Sequence, residues 1–439
     1  MRIRMAYHRD GLDVELPDRN VVAVLEYPGG TDSGDMADGA TLVRQAIATP
    51  IGSPPLAELA VTAVARKDGT AKLCSAAIAV CDVTRPVPNA VVLPPILETL
   101  ESAGIVRENI TILVATGLHR PNEGAELVEM LGAEIVANYR IENHVATDTA
   151  SHTDLGVSPR GVPIRIDSRW CAADVKIATG LIEPHFMAGW SGGRKLICPG
   201  LASKETICRW HSPDFLEHPA AAVGSLNGNP VHEENTWIAR RAGCDFIVNV
   251  VLDRERRIRC AVAGDMEAAW QRGVVVAYQR LAATLAEPVD IVVTSAAGYP
   301  LDATYYQAIK GVVCAAELVK PGGTIICVAG MREGLGSAPF VQCFNDHPTI
   351  ESFMDAILAG KYFQIDQWQI EELAKSLRRA RCVFVTDGQP HDVLQRMYAE
   401  TASTVESAIA AALERHGPDA TIAVIPEGPY VLAVTQEPR

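Results

Sequence analysis

The chain has 439 residues, 48% hydrophobic and 21% charged, which is too long for one ordinary core and points to two domains of roughly 150 to 250 residues each. A formal charge of −14 opposes nucleic acid or an anionic membrane surface as partner, so locally placed Arg and Lys must meet any anionic substrate. No apolar run reaches membrane-spanning length, the first residues lack a signal-peptide core, and the 11 cysteines show neither a Cys-x-x-Cys pair nor a zinc spacing, so the expectation is a cytoplasmic protein whose thiols are packing residues.

Residues 1 to 27 alternate apolar and polar positions and predict paired strands at a sheet edge. Residues 41–48 read as a short helix and 76–81 as a buried strand that runs into Asp82-Val-Thr-Arg-Pro86, where Pro86 and Pro88 keep a helix from starting at once. The pattern repeats: a helix over 91–103, a strand over 110–115, then the loop Thr116-Gly-Leu-His-Arg-Pro121. Loops at the carboxyl ends of neighbouring strands face one crevice in an open α/β sheet. Strands follow at 134–137 and 163–166, and His144 and His152, set among Asn, Asp, Ser and Thr, read as surface residues.

The strand-then-loop unit 174–180 delivers the densest run, Glu183-Pro-His-Phe-Met-Ala-Gly-Trp-Ser-Gly-Gly-Arg-Lys, which continues to Arg209-Trp-His211. Gly189, Gly192 and Gly193 suit a tight turn that lets a phosphate or planar ligand approach the main chain. Lys195 sits beside Arg194, which lowers its proton affinity and makes a nucleophilic amine accessible. Imidazoles such as His185 and His211 can act as a base or as a neutral ligand to a borderline metal.

Farther on, 230–242 is a helix entered through Asn229-Pro230, with His232-Glu233 on its solvated first turn. Residues 246–252 and 257–262 form a hairpin, and 265–286 a long helix. A second α/β region holds strands at 291–294, 324–329 and 382–386 and helices at 305–319, 350–359, 371–380 and from 393. Arg332, beside the Gly-rich turn 330–336, reads either as a carboxylate contact or as a solvated loop residue. A helix over 401–416 and a strand pair over 421–434 close the chain.

The expected fold is α/β, two lobes with Rossmann-like mixed or parallel sheets joined by long helices, with the active site in the inter-lobe cleft. The domain reading assigns 1–264 to an N-terminal cofactor-binding domain to which 417–439 returns, 265–288 and 401–416 to linker helices, and 289–400 to a C-terminal lobe.

From the residues alone, His119 and His185 are bases on separate loops, suited to opposite faces of one substrate carbon. Arg85 and Lys310 suit a carboxylate clamp, and Gln307 shares a helix face with Lys310. An imidazole cannot abstract the α-proton of a 2-hydroxy acid unaided; removing a hydride avoids the carbanion but demands an acceptor that no side chain supplies. A recruited cofactor is therefore required, with Lys195 and His211 as its anchors.

Taken together in this order, the Asp82, Thr116 and Glu183 runs and Tyr305-Tyr-Gln-Ala-Ile-Lys-Gly311 resemble the nickel-dependent lactate racemase family over nearly the whole chain. The resemblance implies an isomerase, a racemase or epimerase of 2-hydroxy acids. It also implies a nickel pincer nucleotide, Ni(II)-pyridinium-3,5-bisthiocarboxylic acid mononucleotide, tethered as a thioamide at Lys195 with His211 as the protein ligand to nickel. By the same resemblance His119 and His185 are the two acid/bases, Asp82, Val83, Thr84 and Arg85 contact the cofactor, and Arg85, Tyr306, Gln307 and Lys310 bind substrate. Cofactor-biosynthesis proteins are the implied partners. A non-catalytic carrier or sensor of a nucleotide or small anion, using the Gly-rich cradle without metal, is the alternative, and it leaves the paired histidines without a purpose.

Overall fold

The computed structural model describes residues 1–27, 38–67, 73–253 and 255–435. Of these, residues within 1–28, 212–224 and 280–439 form one compact unit, and those within 29–211 and 225–279 form the other. Among the described residues no helix is long and apolar enough to cross a membrane.

The unit holding 29–211 and 225–279 is built on a six-stranded sheet in the order Ile258–Gly264, Phe246–Leu252, Val175–Leu181, Ala76–Cys81, Ile110–Ala115, Arg140–Asn143. All neighbours are parallel except the edge hairpin of Phe246–Leu252 with Ile258–Gly264. Ala76–Cys81 and Phe246–Leu252 are buried along their whole length. Strands covered on both faces carry apolar runs, which is why 76–81 was legible as a short buried strand. From Ala76–Cys81 the chain builds outward to one side and then returns to the other with Val175–Leu181, so the strand order reverses between these two. Ligands bind outside the carboxyl ends at such a reversal, and the Asp82 and Glu183 runs leave the sheet there.

The other unit carries a fully parallel six-stranded sheet, ordered Glu400–Ala402, Arg381–Val385, Val319–Val328, Val289–Ser295, Ile422–Ile425, Val21–Val24. Successive residues supply opposite faces: Ile291 and Val293 join one core with Ile3, Met5 and Ile409, while Val292 joins a second with Tyr305, Ile309 and Phe340.

The expected domain boundaries change accordingly. Ile422–Ile425 pairs with Val289–Ser295 and Val21–Val24, so the final segment and the first 27 residues belong with the C-terminal sheet and do not return to the other unit. The helix expected over 265–286 is Ala268–Leu281, after which Ala282–Leu285 is a strand parallel to Leu432–Thr435. A partner some 150 residues away decides that switch, and local periodicity cannot register it. Likewise Glu400–Ala402 is a strand before the helix Val405–His416, which packs on its own unit's sheet and is no linker. The strand expected at 134–137 is the helix Ala133–Asn138, because a run as short as Ile135-Val-Ala137 fits either state. The helices Leu56–Ala65 and Ala338–Asp346 had not been anticipated. The helix Pro230–Ala242 is as read, with Asn229 Oδ1 accepting from the backbone N–H groups of Val231 and His232.

Candidate active site

Three loops at adjoining strand ends carry the motif residues of the first unit. Asp82, at the end of Ala76–Cys81, is buried, and its Oδ1 accepts from the Thr84 amide at 3.2 Å and the Thr84 hydroxyl at 2.5 Å. Its Oδ2 accepts from His119 Nδ1 at 2.5 Å. Burial works against ionisation of Asp82, but the bonds from His119 and Thr84, with Arg85 nearby, hold its carboxyl below the usual range. A carboxylate can only accept, so the neutral His119 ring has its proton on Nδ1 and presents the Nε2 lone pair from a side chain that is 59% exposed. This is an oriented base. Val83 is exposed, and its amide donates to Oδ1 of the buried Asn122, a residue that sequence reasoning missed and that ties the Asp82 loop to the Thr116 loop.

Arg85 forms an ion pair with Glu183, Nε to Oε1 at 3.3 Å, which joins the first loop to the third. The anticipated carboxylate clamp therefore already holds a carboxylate of the protein, and its Nη1 donates to the Thr84 carbonyl at 3.3 Å.

In the third loop, Pro184–His185 pairs with Gly189–Trp190 in a two-residue ladder. His185 Nδ1 accepts from the Met187 and Ala188 amides, each at 3.2 Å, and Nε2 lies 2.7 Å from Lys195 Nζ. Lys195 lies within a short 3-10 turn, Gly193–Leu196. Burial above all, then Arg85 and Arg194, holds its proton affinity well below that of an ordinary lysine. The direction inferred from Arg194 is right, though that residue contributes less than burial. Arg194 is 2% exposed and donates Nη2 to the Ala188 carbonyl at 3.0 Å. Its guanidinium lies 4.0 Å from the Trp270 ring centroid, and burial lowers it to about 9.

The expected glycine cradle is occupied by the protein itself. A Cβ at Gly189, φ +75°, would meet the Ser225 carbonyl oxygen at 2.0 Å, and one at Gly193, φ +50°, the Trp270 ring at 2.9 Å. These glycines are demanded by packing and positive φ, which removes the basis for the anion-carrier alternative.

Helix Lys204–Trp210 begins at Ser203, whose side chain accepts from the Thr206 amide, and ends at His211. His211 Nδ1 donates to the Ile207 carbonyl at 2.9 Å, so Nε2 keeps its lone pair. Burial lowers its pKa to about 3, making it a neutral imidazole at neutral pH. Lys195 Nζ is 6.0 Å and the His211 ring 3.9 Å from the Trp210 ring centroid, so amine and imidazole flank one indole. Among the described residues no group of three or more His, Cys, Asp or Glu could hold a metal by itself. A metal bound by His211 must thus bring most of its ligands with it, which fits a metal carried by an organic cofactor anchored at a nearby amine.

Two other histidines depart from expectation. His144 is buried, 3.3 Å from Asp167 Oδ2 through Nδ1 and 2.9 Å from the Ala202 carbonyl through Nε2, and so buttresses the start of the helix that ends at His211. His232 stacks on Trp270 at 5.3 Å and, with burial lowering it to about 3, is no solvated first-turn residue. Cys198 is buried and burial pushes its thiol up, as suits packing. Arg332 is paired with Asp387 at 2.7 Å.

In the other unit, Tyr306, Gln307 and Lys310 lie on the helix Tyr305–Ala315, whose N-cap Thr304 accepts from the Gln307 amide. The Tyr306 hydroxyl accepts from Trp368 Nε1 at 3.1 Å and its ring meets Phe340 edge-on. Gln307 Oε1 is buried and finds no hydrogen-bond partner among the described residues. Such an atom is a natural receptor for a ligand donor.

Residues 7–224 match the model of the lactate racemase N-terminal domain, and 284–433 that of the lactate racemase C-terminal domain. The chain is 37% identical to the lactate racemase of Lactiplantibacillus plantarum, covering 97% of this chain and 98% of that one, and 33% identical to that of Thermoanaerobacterium thermosaccharolyticum, covering 98% of each. Its structure is similar to that of the lactate racemase apoprotein from Thermoanaerobacterium thermosaccharolyticum, with a TM-score of 0.90 at 31% identity over the full length of both. A Thermotoga maritima protein shares the fold alone, with a TM-score of 0.64 at 16% identity over 88% of this chain and all of that one. This chain belongs to the lactate racemase family and is an isomerase.

Proposed function

We propose that the chain inverts C2 of a 2-hydroxy acid, lactate or a close relative, with a nickel pincer nucleotide tethered at Lys195 and its metal bound by His211 Nε2. The observation that carries this reading is the pair of nitrogen groups beside Trp210, an amine whose proton affinity burial holds well below that of an ordinary lysine and a buried imidazole whose Nδ1 is spent on the Ile207 carbonyl. When bound, the nickel pincer nucleotide supplies an acceptor for the substrate's C2 hydride, chemistry that no side chain offers.

The polypeptide's part is positioning and proton transfer. His119, held by Asp82, accepts the substrate hydroxyl proton at Nε2, while His185 presents an Nε2–H on a different loop. One acceptor and one donor form the complementary pair that inversion needs, and their roles exchange for the other enantiomer. Arg85 meets the substrate carboxylate while Glu183 fixes its orientation. Asp82, Val83 and Thr84 line the cofactor, and Tyr306, Gln307 and Lys310 give the substrate a wall, an amide and an ammonium. Cofactor-biosynthesis proteins are the partners this reading requires.

The test uses protein produced with those proteins and shown by intact mass and metal analysis to carry the cofactor. His119→Ala and His185→Ala should each abolish racemisation of single-enantiomer hydroxy acids. Full turnover in either loaded variant removes that histidine from the mechanism.

A further inference from the structure

The loop that carries His185 and Lys195 closes a ring of hydrogen bonds. Arg194 Nη2 donates to the Ala188 carbonyl at 3.0 Å, the Ala188 and Met187 amides donate to His185 Nδ1, and His185 Nε2 meets Lys195 Nζ at 2.7 Å. Lys195 follows Arg194 directly, so the ring returns to its start.

Donor and acceptor chemistry places the protons. An Nδ1 that receives two backbone N–H groups is an acceptor, so the single proton of the neutral ring sits on Nε2. That N–H is then the donor in the contact with Lys195, and the amine accepts with its lone pair. An ammonium has none. The geometry by itself selects an uncharged lysine, and burial with Arg85 and Arg194 acts in the same direction. Among the described residues no carboxylate pairs with Arg194: it is spent on the Ala188 carbonyl and the Trp270 face, which fixes the turn that offers its amides to His185.

We infer that His185 has a second role, as the positioning residue that fixes the Lys195 amine for attachment of the cofactor, apart from its part in proton transfer. The inference rests on the reading of Lys195 as the tether. Attachment is a condensation in which the lysine nitrogen bonds to the thiocarboxyl carbon of the nucleotide's arm. That carbon's oxygen leaves as water with one amine hydrogen and the thiol hydrogen, a thioamide forms, and no electrons are exchanged with a third party. The thioamide nitrogen's lone pair is delocalised and no longer accepts from His185. Tethering thereby frees the Nε2–H for the substrate oxygen, so the histidine that prepares the amine becomes available once the amine is used.

The full-length chain, His185→Gln and His185→Leu are each produced alongside the cofactor-biosynthesis proteins, and the Lys195 peptide is weighed by mass spectrometry. Gln keeps an amide N–H donor, while Leu fills the space without one. Tethering in His185→Gln is expected within about twofold of the parent, and in His185→Leu at least about fivefold lower, the loss of one net hydrogen bond. Equal tethering in all three, or an equal loss in both variants, overturns the inference and leaves the tether reading standing. A parent chain with no added mass on Lys195 overturns the tether reading itself and the inference with it. Should His185→Leu fail to fold, nitrogen-15 NMR of the parent's imidazoles, assigned by the signal missing from His185→Gln, decides: a proton on Nε2 supports the inference and a proton on Nδ1 overturns it.

Discussion

Replacing Asp82 with Asn tests how the base on the second loop is set. Asp82 Oδ1 accepts two donors from Thr84, its amide at 3.2 Å and its hydroxyl at 2.5 Å, so the amide oxygen of an Asn must stay on that side. The amide NH2 then faces His119 Nδ1, where the carboxylate now accepts at 2.5 Å. A donor opposite Nδ1 drives the ring's proton to Nε2 and removes the lone pair that would take the substrate proton. What is lost is one charge-assisted hydrogen bond, roughly 1.5 to 3 kcal/mol, which corresponds to a fall in kcat of about 10- to 150-fold. The assay is racemisation of each enantiomer by Asp82→Asn protein matched to the parent in cofactor content, with thermal unfolding alongside. Both directions should slow together, with an unfolding midpoint close to that of the parent. A kcat within about twofold of the parent refutes the tautomer argument.

Glu371 is fully buried, neither carboxyl oxygen finds a hydrogen-bond partner among the described residues, and burial first, then Glu217 and Glu372, pushes its pKa to about 9. Folded protein keeps this proton while unfolded chain loses it above about 4.5, so stability falls by about 1.4 kcal/mol per pH unit between those values. Glu371→Gln, which needs no proton, should show a stability advantage that grows from pH 6 to pH 8 in denaturant titrations; a pH-independent difference counts against it. At the acid end, His211, held to about 3, must gain a proton on unfolding once the pH drops below about 6.5. Protein produced without the cofactor proteins should lose roughly 2 kcal/mol between pH 6.5 and 5 through this group, and less in His211→Gln; an equal loss in both would place the acid sensitivity elsewhere. Gly189→Ala should destabilise the fold by more than about 2 kcal/mol, since its Cβ meets a carbonyl oxygen at 2.0 Å in a left-handed conformation. An unchanged unfolding midpoint would show that the turn yields easily.

Much of the site was legible because its parts lie within single loops. The strand Ala76–Cys81 ending at Asp82, the strand Ile110–Ala115 ending before the His119 loop, and the run from Glu183 to His211 are read from short apolar runs, glycine and proline alone. The pairings between loops were not. Nothing near Asp82 in the sequence says that its carboxylate meets His119, nor that Arg85 is held by Glu183, because each pair joins strand ends brought together by the sheet order. The polar surroundings of His144 suggested a surface site, yet Asp167 and the Ala202 carbonyl satisfy it in the interior, so the cost of burying a polar ring is met by partners remote in the chain.

By itself the amino-acid order determined the α/β character, the loops that carry the motif residues and the family, since each depends on neighbours within a few tens of residues. Only the tertiary structure decided which sheet receives each end of the chain and which hydrogen-bond partner each site nitrogen meets. Strand partners and hydrogen-bond donors are chosen by proximity in space, where an atom's nearest neighbour can lie more than a hundred positions away in the sequence.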